Sequence, residues 1–350
     1  MIEIDFELLR PIGLTQAIAS QLALIDPPSS PARLVRVTEV HRDTISVHDG
    51  AVQSSARALP RLLQAPADSV VVGDWMLAET HAGGDCWLTA RLAPLNQLAR
   101  RGADGRRQAI ASNIDTALLV MGLDHDFKLR RIERYLAMVH AAGVAAVVVL
   151  TKADLAAGAG ARLAQLQQRL PASVPTFALN ALAGQAALVL RPWLGMGQTL
   201  ILLGSSGAGK STLTNALSGG VQATGGVREG DSRGRHTTTA RSLHLCEGGA
   251  CIIDTPGLRS MQPDADQEAL SAAFEDIDAL AGQCQFRDCR HEAEPGCAVR
   301  DAVDGDRLRN YHKLLREARR SSQTPLERIA ERAKWKVLMK AVEARNRDKR

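Results

Sequence analysis

The sequence predicts a multidomain α/β protein. A small five-stranded β-barrel of the OB type comes first, then a domain built on a mostly parallel sheet, then a helical carboxyl-terminal module. Three observations predict this. Five short β-type runs crowd into roughly sixty residues, as in a small barrel. From residue 116 onward, continuous apolar runs alternate with helical stretches, the pattern of a parallel sheet covered on both faces. Finally, Cys284, Cys289, His291 and Cys297 fall within fourteen residues of one another in a segment with little core of its own.

In chain order, residues 1–26 give a weak amphipathic pattern, and Pro27-Pro28-Ser29-Ser30-Pro31 reads as a linker. Residues 1–31 are therefore an extension. The barrel runs are 34–40, 44–48, 51–59, 70–79 and 86–92, with Asp49-Gly50 as a hairpin turn. They define a domain at 32–95, for which an SH3-like barrel is the rival to the OB-fold. Buried strands follow at 116–121, 144–150, 176–179 and 199–203, separated by helical stretches at 129–142, 155–170 and 182–194. The Gly-, Arg- and Thr-rich stretch 219–239 reads as a mobile interruption. Runs at 242–246 and 250–253 around Glu247-Gly248-Gly249 read as an antiparallel hairpin. The α/β domain spans 96–262. Residues 263–350 form the last module, helical from Asp306 with a new helix at Pro325.

Composition narrows the function classes. The chain of 350 residues is 45% hydrophobic and 23% charged, a globular profile that excludes disorder over most of its length. Aromatics are only 3%, so Ala, Val, Leu and Ile must build the cores. The longest apolar run, 141–150, is about half of the ~20 residues a spanning helix needs. The acidic start lacks the layout of a signal peptide, so a cytoplasmic protein without membrane contact is expected. Net charge is +5, but residues 301–350 hold 15 Lys+Arg against 8 Asp+Glu, while the first 300 hold 28 against 30. A basic tail on a near-neutral body fits RNA or another acidic partner. Cys86, Cys246 and Cys251 are scattered and read as buried free thiols.

Gly204-Ser205-Ser206-Gly207-Ala208-Gly209-Lys210-Ser211 matches G-x-x-x-x-G-K-[ST] and stands between a buried strand and a helical stretch. Glycines let the backbone turn its N–H groups around a β-phosphate, and the helix start adds positive charge. Lys210 would reach the β- and γ-phosphates and Ser211 would bind Mg²⁺, with Thr212 next in the helix. Asp254-Thr255-Pro256-Gly257 ends a second buried strand, on the edge where α/β sheets bind ligands. There Asp254 would hold Mg²⁺ through water and Gly257 N–H would face the γ-phosphate. Thr151-Lys152-Ala153-Asp154 ends another strand. A carboxylate at Asp154 accepts from N1–H and the exocyclic amine of guanine, which adenine cannot satisfy. The Lys152 stem would cover the purine, and Asn180-Ala181 would offer a backbone N–H to the guanine O6.

These three segments resemble the phosphate-loop, Asp-x-x-Gly and base-reading motifs of guanine nucleotide-binding domains. The base motif precedes the phosphate loop by about fifty residues, the reverse of the usual order, so the domain resembles the circularly permuted P-loop GTPases. With the amino-terminal barrel and the Cys/His cluster, residues 32–320 resemble the ribosome small-subunit-dependent GTPase A family. Thr151 in place of the usual Asn, and Asn180 where Ser is common, are departures.

The resemblance implies GTP hydrolysis to GDP and phosphate. Leu258 stands where many GTPases carry a water-orienting Gln, so the intrinsic rate should be low, with the missing group supplied by another loop or a partner. Arg235-His236-Thr237-Thr238-Thr239 resembles the family's second motif. Thr238 is the choice for a second Mg²⁺ hydroxyl, with Thr237 and Thr239 as alternatives. His236 either positions water or is a solvated loop histidine. Lys210, Thr238 and His236 are thus the catalytic candidates.

The three thiols and one imidazole supply four N/S ligands, a closed tetrahedral Zn²⁺ shell and hence a structural site. The family implies the 30S ribosomal subunit with its 16S rRNA as partner, in a late maturation step, and nothing demands more than a monomer. Two other readings stand beside this one. The first is a nucleotide-gated RNA- or ribosome-binding module with incidental turnover. The second is a GTP-dependent RNA-processing or metal enzyme using the Cys/His site, which the closed ligand set disfavours.

Overall fold

The computed structural model describes residues 2–322 except 27, 29, 64–68, 82–83, 103, 183, 220–240, 247 and 257–261. Its amino-terminal segment is more than an extension. Strand β1 (Ile2–Glu3) pairs in parallel with β2 (Ala32–Val40), and two one-turn helices follow β1, α1 (Phe6–Leu9) and α2 (Gln16–Ala19). Asp5 and Thr15 cap them by accepting from Leu8 N and Ile18 N. Leu9, Ile12, Leu14, Ile18 and Leu22 are buried in the same apolar cluster as Ala117 and Leu119.

The barrel comprises β2 (Ala32–Val40), β3 (Ile45–His48), β4 (Gln53–Ala58), β5 (Trp75–Thr80) and β6 (Cys86–Arg91). It closes in the order β2-β3-β4-β6-β5, with β5 returning to β2. Gly50, at φ +96°, makes the β3–β4 turn. Val35, Val37, Val47, Met76 and Leu88 fill the interior. Of the two barrel tryptophans Trp75 is buried, whereas Trp87 is half-exposed beneath the Arg57 guanidinium. Cys86, the first residue of β6, is likewise half-buried, unlike Cys246 and Cys251.

A feature without a sequence signal comes next. β7 (Gln97–Arg101) and β8 (Arg107–Ser112) pair antiparallel, and a two-residue β15 (Gln262–Pro263) joins β7 much later in the chain. Asp264 locks this small sheet by accepting from Arg101 Nε at 2.6 Å and Arg107 Nε at 3.1 Å.

The central sheet contains β9 (Thr116–Gly122), β10 (Ala145–Thr151), β11 (Thr176–Ala178), β12 (Thr199–Leu203), β13 (Ser242–Leu245) and β14 (Cys251–Asp254). Its order is β11-β10-β9-β12-β14-β13, parallel throughout except for β13. Alternation along β9 sends Leu119 and Met121 into one apolar cluster and Leu118 and Val120 into another, which explains its unbroken apolar text. Helix α3 (Leu129–Ala141) covers one face, with α4 (Ala159–Gln167) at the end of the same layer. On the other face lie α5 (Gln185–Leu190) and α6 (Lys210–Leu217). A single pair, Ser242 with Glu39, joins β13 to β2 and makes sheet and barrel continuous.

The carboxyl-terminal module has α7 (Gln267–Ala273), α8 (Glu275–Ala281), α9 (Ala298–Ala302) and α10 (Gly305–Ser322). α7 and α10 pack on α3, around Leu270, Phe274 and Leu314. Among the described residues, no helix is long and apolar enough to cross a membrane.

Candidate nucleotide site and metal centre

Strand order decides what meets at the carboxyl edge of the sheet. β9 lies between β10 and β12, so the loop after β9 separates the base-reading tip from the phosphate loop. All three touch. Thr151, the last residue of β10, donates from Oγ1 to Ala208 O at 2.6 Å, a bond buried from solvent. Lys152 Nζ donates to Gly207 O at 2.7 Å and to Asp124 Oδ2 at 2.7 Å. Lys152 itself stands at φ 60°, a left-handed conformation that few non-glycine residues adopt. Asp154, three residues past the bonded Thr151, is exposed on that edge. Asn180 and Ala181 follow the neighbouring β11, and Asn180 Oδ1 accepts from Leu182 N at 2.9 Å.

The phosphate loop joins β12 to α6. A Cβ on Gly204 would stand 2.4 Å from Val120 O, so only glycine fits against β9 there. Gly209, at φ +91°, turns the chain into α6 beside Thr151. The Lys210 ammonium is buried over the loop and donates to Gly204 O at 3.1 Å and Ser205 O at 2.9 Å. Burial lowers its pKa, and the nearby Asp254 and Asp126 carboxylates oppose that shift. Ser206, Gly207 and Ser211 are exposed around it, and Thr212 is half-buried in the first turn.

Asp254 ends β14 beside β12 and is itself buried. Ser211 Oγ approaches its Oδ2 at 3.5 Å, while Oδ1 has no hydrogen-bond partner among the described residues. Burial raises its pKa despite Lys210 nearby. An orphaned buried carboxylate oxygen beside a serine hydroxyl is a donor set that fits a hard divalent cation. Gly257, Leu258, His236, Thr237, Thr238 and Thr239 lie outside the described residues, as does the tail beyond residue 322.

Sequence reasoning missed three residues at this edge: Asp124, Asp126 and Arg131. Asp126 accepts Ser205 Oγ–H at 2.5 Å and Gly122 N–H at 3.2 Å, and it pairs with Arg131. Arg131 also donates to Ser205 Oγ at 2.9 Å. The signal was available, since Asp124 and Asp126 follow a buried strand as Asp154 and Asp254 do.

Cys284, Cys289, His291 and Cys297 place their ligand atoms within 4.8 Å of one another, between α8 and α9. Sγ of Cys284 lies 4.0 Å from Sγ of Cys297, and His291 Nδ1 lies 3.6 and 3.4 Å from those sulfurs. A tetrahedral zinc shell with ordinary bond lengths separates its sulfurs by ~3.8 Å and sulfur from nitrogen by ~3.6 Å. The spacing therefore fits one metal ion, and 4.0 Å is far from a disulfide bond. Cys297 Sγ also caps α9 by accepting from Arg300 N at 3.4 Å.

Comparison with known proteins agrees with this geometry. The family model described as RsgA GTPase matches residues 92–264. A small ribosomal subunit biogenesis GTPase RsgA from Xanthomonas oryzae pv. oryzae is 45% identical over 324 residues, which cover 89% of this chain and 86% of that protein. The chain belongs to the RsgA GTPase family. A relative of the same name from Xanthomonas axonopodis pv. citri is 44% identical over the same shares. Two solved structures share the fold. YjeQ from Thermotoga maritima superposes with a TM-score of 0.59 at 24% identity, covering 82% of this chain and 98% of that one. YloQ, a circularly permuted GTPase, does so with 0.57 at 21%, covering 84% and 97%. Membership accounts for the motif order, with Thr151-Lys152-Ala153-Asp154 encoded before Gly204–Ser211. The tips still adjoin because strand neighbours, not chain order, set the edge.

Proposed function

We propose that this chain is a Mg²⁺-dependent GTP hydrolase of low intrinsic rate, stimulated by the small ribosomal subunit and acting as a nucleotide-switched factor in its late maturation. The observation that carries the reading is the pair of bonds from Thr151 and Lys152 to Ala208 and Gly207, which make the base-reading tip and the phosphate loop one rigid cradle. In this reading Asp154 selects guanine, Lys152 covers the purine, and the N–H of Ala181 faces O6. Backbone N–H groups from Ser205 to Thr212 surround the phosphates. Lys210 leaves the loop carbonyls for the β- and γ-phosphates. Ser211, and Asp254 through water, would hold Mg²⁺, which would supply charge neutralisation at the phosphates. Thr238, Gly257 and His236 complete the γ-phosphate end.

The Cys₃His cluster would hold one structural zinc, because four protein ligands leave no open position. With 32–95 as barrel, 96–262 as GTPase domain and 263–350 as zinc module, the whole is a cytoplasmic monomer whose basic surfaces meet 16S rRNA. Binding should therefore weaken steeply with salt. Turnover of GTP and ATP, measured alone and with isolated 30S or 50S subunits, tests the reading. GTP-specific turnover stimulated by 30S is expected, on the order of 10³-fold or more if the partner supplies the missing group. GTP binding without stimulation would favour the nucleotide-gated module. Equal use of ATP would refute the base assignment.

A further inference from the structure

Arg131 and Asp126 lie outside the motifs, yet both hold Ser205 within the phosphate loop. We propose that Arg131 is a positioning residue for the phosphate loop, holding Ser205 through Asp126 in the conformation that nucleotide requires. This rests on the nucleotide-binding reading above.

Three things hold Ser205. Its carbonyl accepts from Lys210, and its hydroxyl donates to Asp126 and accepts from Arg131. When phosphate takes the Lys210 ammonium, Gly204 O and Ser205 O lose that donor together. The side-chain latch then fixes the first half of the loop. Arg131 has a second task, since Asp126 is a buried carboxylate close enough to Lys210 to act on its charge. Without the guanidinium, Asp126 would face an incoming polyphosphate as an uncompensated anion.

The support behind the latch is rigid. Arg131 lies in the first turn of α3, and its neighbours along that helix are clamped to the carboxyl-terminal module. Buried Glu133 accepts from Arg307 Nη1 at 2.8 Å and Asn310 Nδ2 at 2.5 Å. Arg134 forks onto Glu317 at 2.5 and 3.1 Å, and Arg130 pairs with Asp306. Arg307 also binds Asp276 at 2.8 and 2.5 Å. Helix α3 thus braces the loop against a fixed wall, and preorganisation of this kind favours binding.

The test uses the full chain, fluorescent GDP and GTP analogues, and the variants Arg131→Ala, Arg131→Lys, Ser205→Ala and the double Arg131→Ala/Ser205→Ala. Arg131→Ala should weaken both nucleotides about tenfold, the value of one charge-assisted hydrogen bond. Ser205→Ala should weaken them less. The double variant should be no weaker than Arg131→Ala alone, because both changes break one latch. Arg131→Lys, which keeps the charge opposite Asp126, should recover part of the loss, raising KM while kcat at saturating GTP stays near wild type. Additive losses, or wild-type affinity in both Arg131→Ala and Ser205→Ala, would overturn the latch. If Arg131→Ala fails to fold, Ser205→Ala and Arg131→Lys decide on their own: affinities unchanged from wild type overturn the proposal, and weakened ones support it. Failure of the wild-type chain to bind any guanine nucleotide would instead overturn the functional reading.

Discussion

Replacing Asp254 with Asn should make the nucleotide-free protein more stable while lowering its metal-dependent activity. Oδ1 of this carboxylate is buried without a partner among the described residues, and burial holds its pKa above the ordinary carboxylate range. One unsatisfied buried acceptor costs about 1–3 kcal/mol. The Lys210 charge offsets part of that, and the amide still lacks a full set of partners, so a gain of ~1 kcal/mol is the reasonable expectation at neutral pH. For a domain of this size that raises the melting midpoint by about 2–4 °C. The pH dependence has a definite sign. A carboxyl whose folded pKa is raised favours the folded state at low pH, and it loses that contribution as pH rises from about 3.9 through the folded value. The advantage of Asp254→Asn should therefore be full at pH 7 and shrink toward pH 4. Calorimetry of wild type and variant at both pH values, without nucleotide or Mg²⁺, reads the stability. A parallel assay of Mg²⁺-dependent GTP turnover should fall on the order of 10–100-fold. A variant less stable than wild type at pH 7, or an equal gain at both pH values, would refute the assignment of Asp254 as a strained, metal-ready carboxylate.

Three further outcomes follow from the same geometry. Thr151→Val deletes the buried side-chain donor to Ala208 O, so it should cost ~1 kcal/mol of stability and weaken guanine nucleotide affinity, both measurable by calorimetry. Asp154→Ala should erode discrimination between guanine and adenine nucleotides by up to about 10⁴-fold, read from competition binding. Cys297→Ser, or treatment with a strong chelator, should drop the bound metal from one equivalent toward zero and loosen the start of α9, seen by elemental analysis and hydrogen exchange at residues 298–302.

The central sheet was legible because its strands are buried on both faces, so that 116–121 and 199–203 carry continuous apolar text. The motif tips were legible because each combines an unusual residue string with a strand end. The small sheet of β7, β8 and β15 was not. Arg100-Arg101 and Arg106-Arg107 interrupt any alternation, and β15 arrives from about 160 residues away. The amino-terminal segment hid for another reason: its helices are four residues long, too short for a 3.6-residue period to show, yet tertiary packing buries Leu9 and Ile18 completely enough to order them. Arg131 could not be read either. An arginine in a helix's first turn usually faces water, and only the adjacency of β9 and β12 brings it onto Ser205.

Arg36 carries a different lesson. Fully buried on β2, it donates to Ile12 O, to Thr199 Oγ1 at 2.9 Å, to Asn113 O at 3.0 Å and to Gly73 O at 3.4 Å, and it lies over the Trp75 ring. One cation thus rivets the head of the chain, the barrel and the root of the strand that feeds the phosphate loop. The barrel is consequently not a bead that can be cut from its string. A fragment starting near residue 92 would strip that guanidinium from Thr199 and Asn113 and leave the base of the catalytic sheet wet. Swapping barrels between relatives should succeed only when the rivet travels with its sockets.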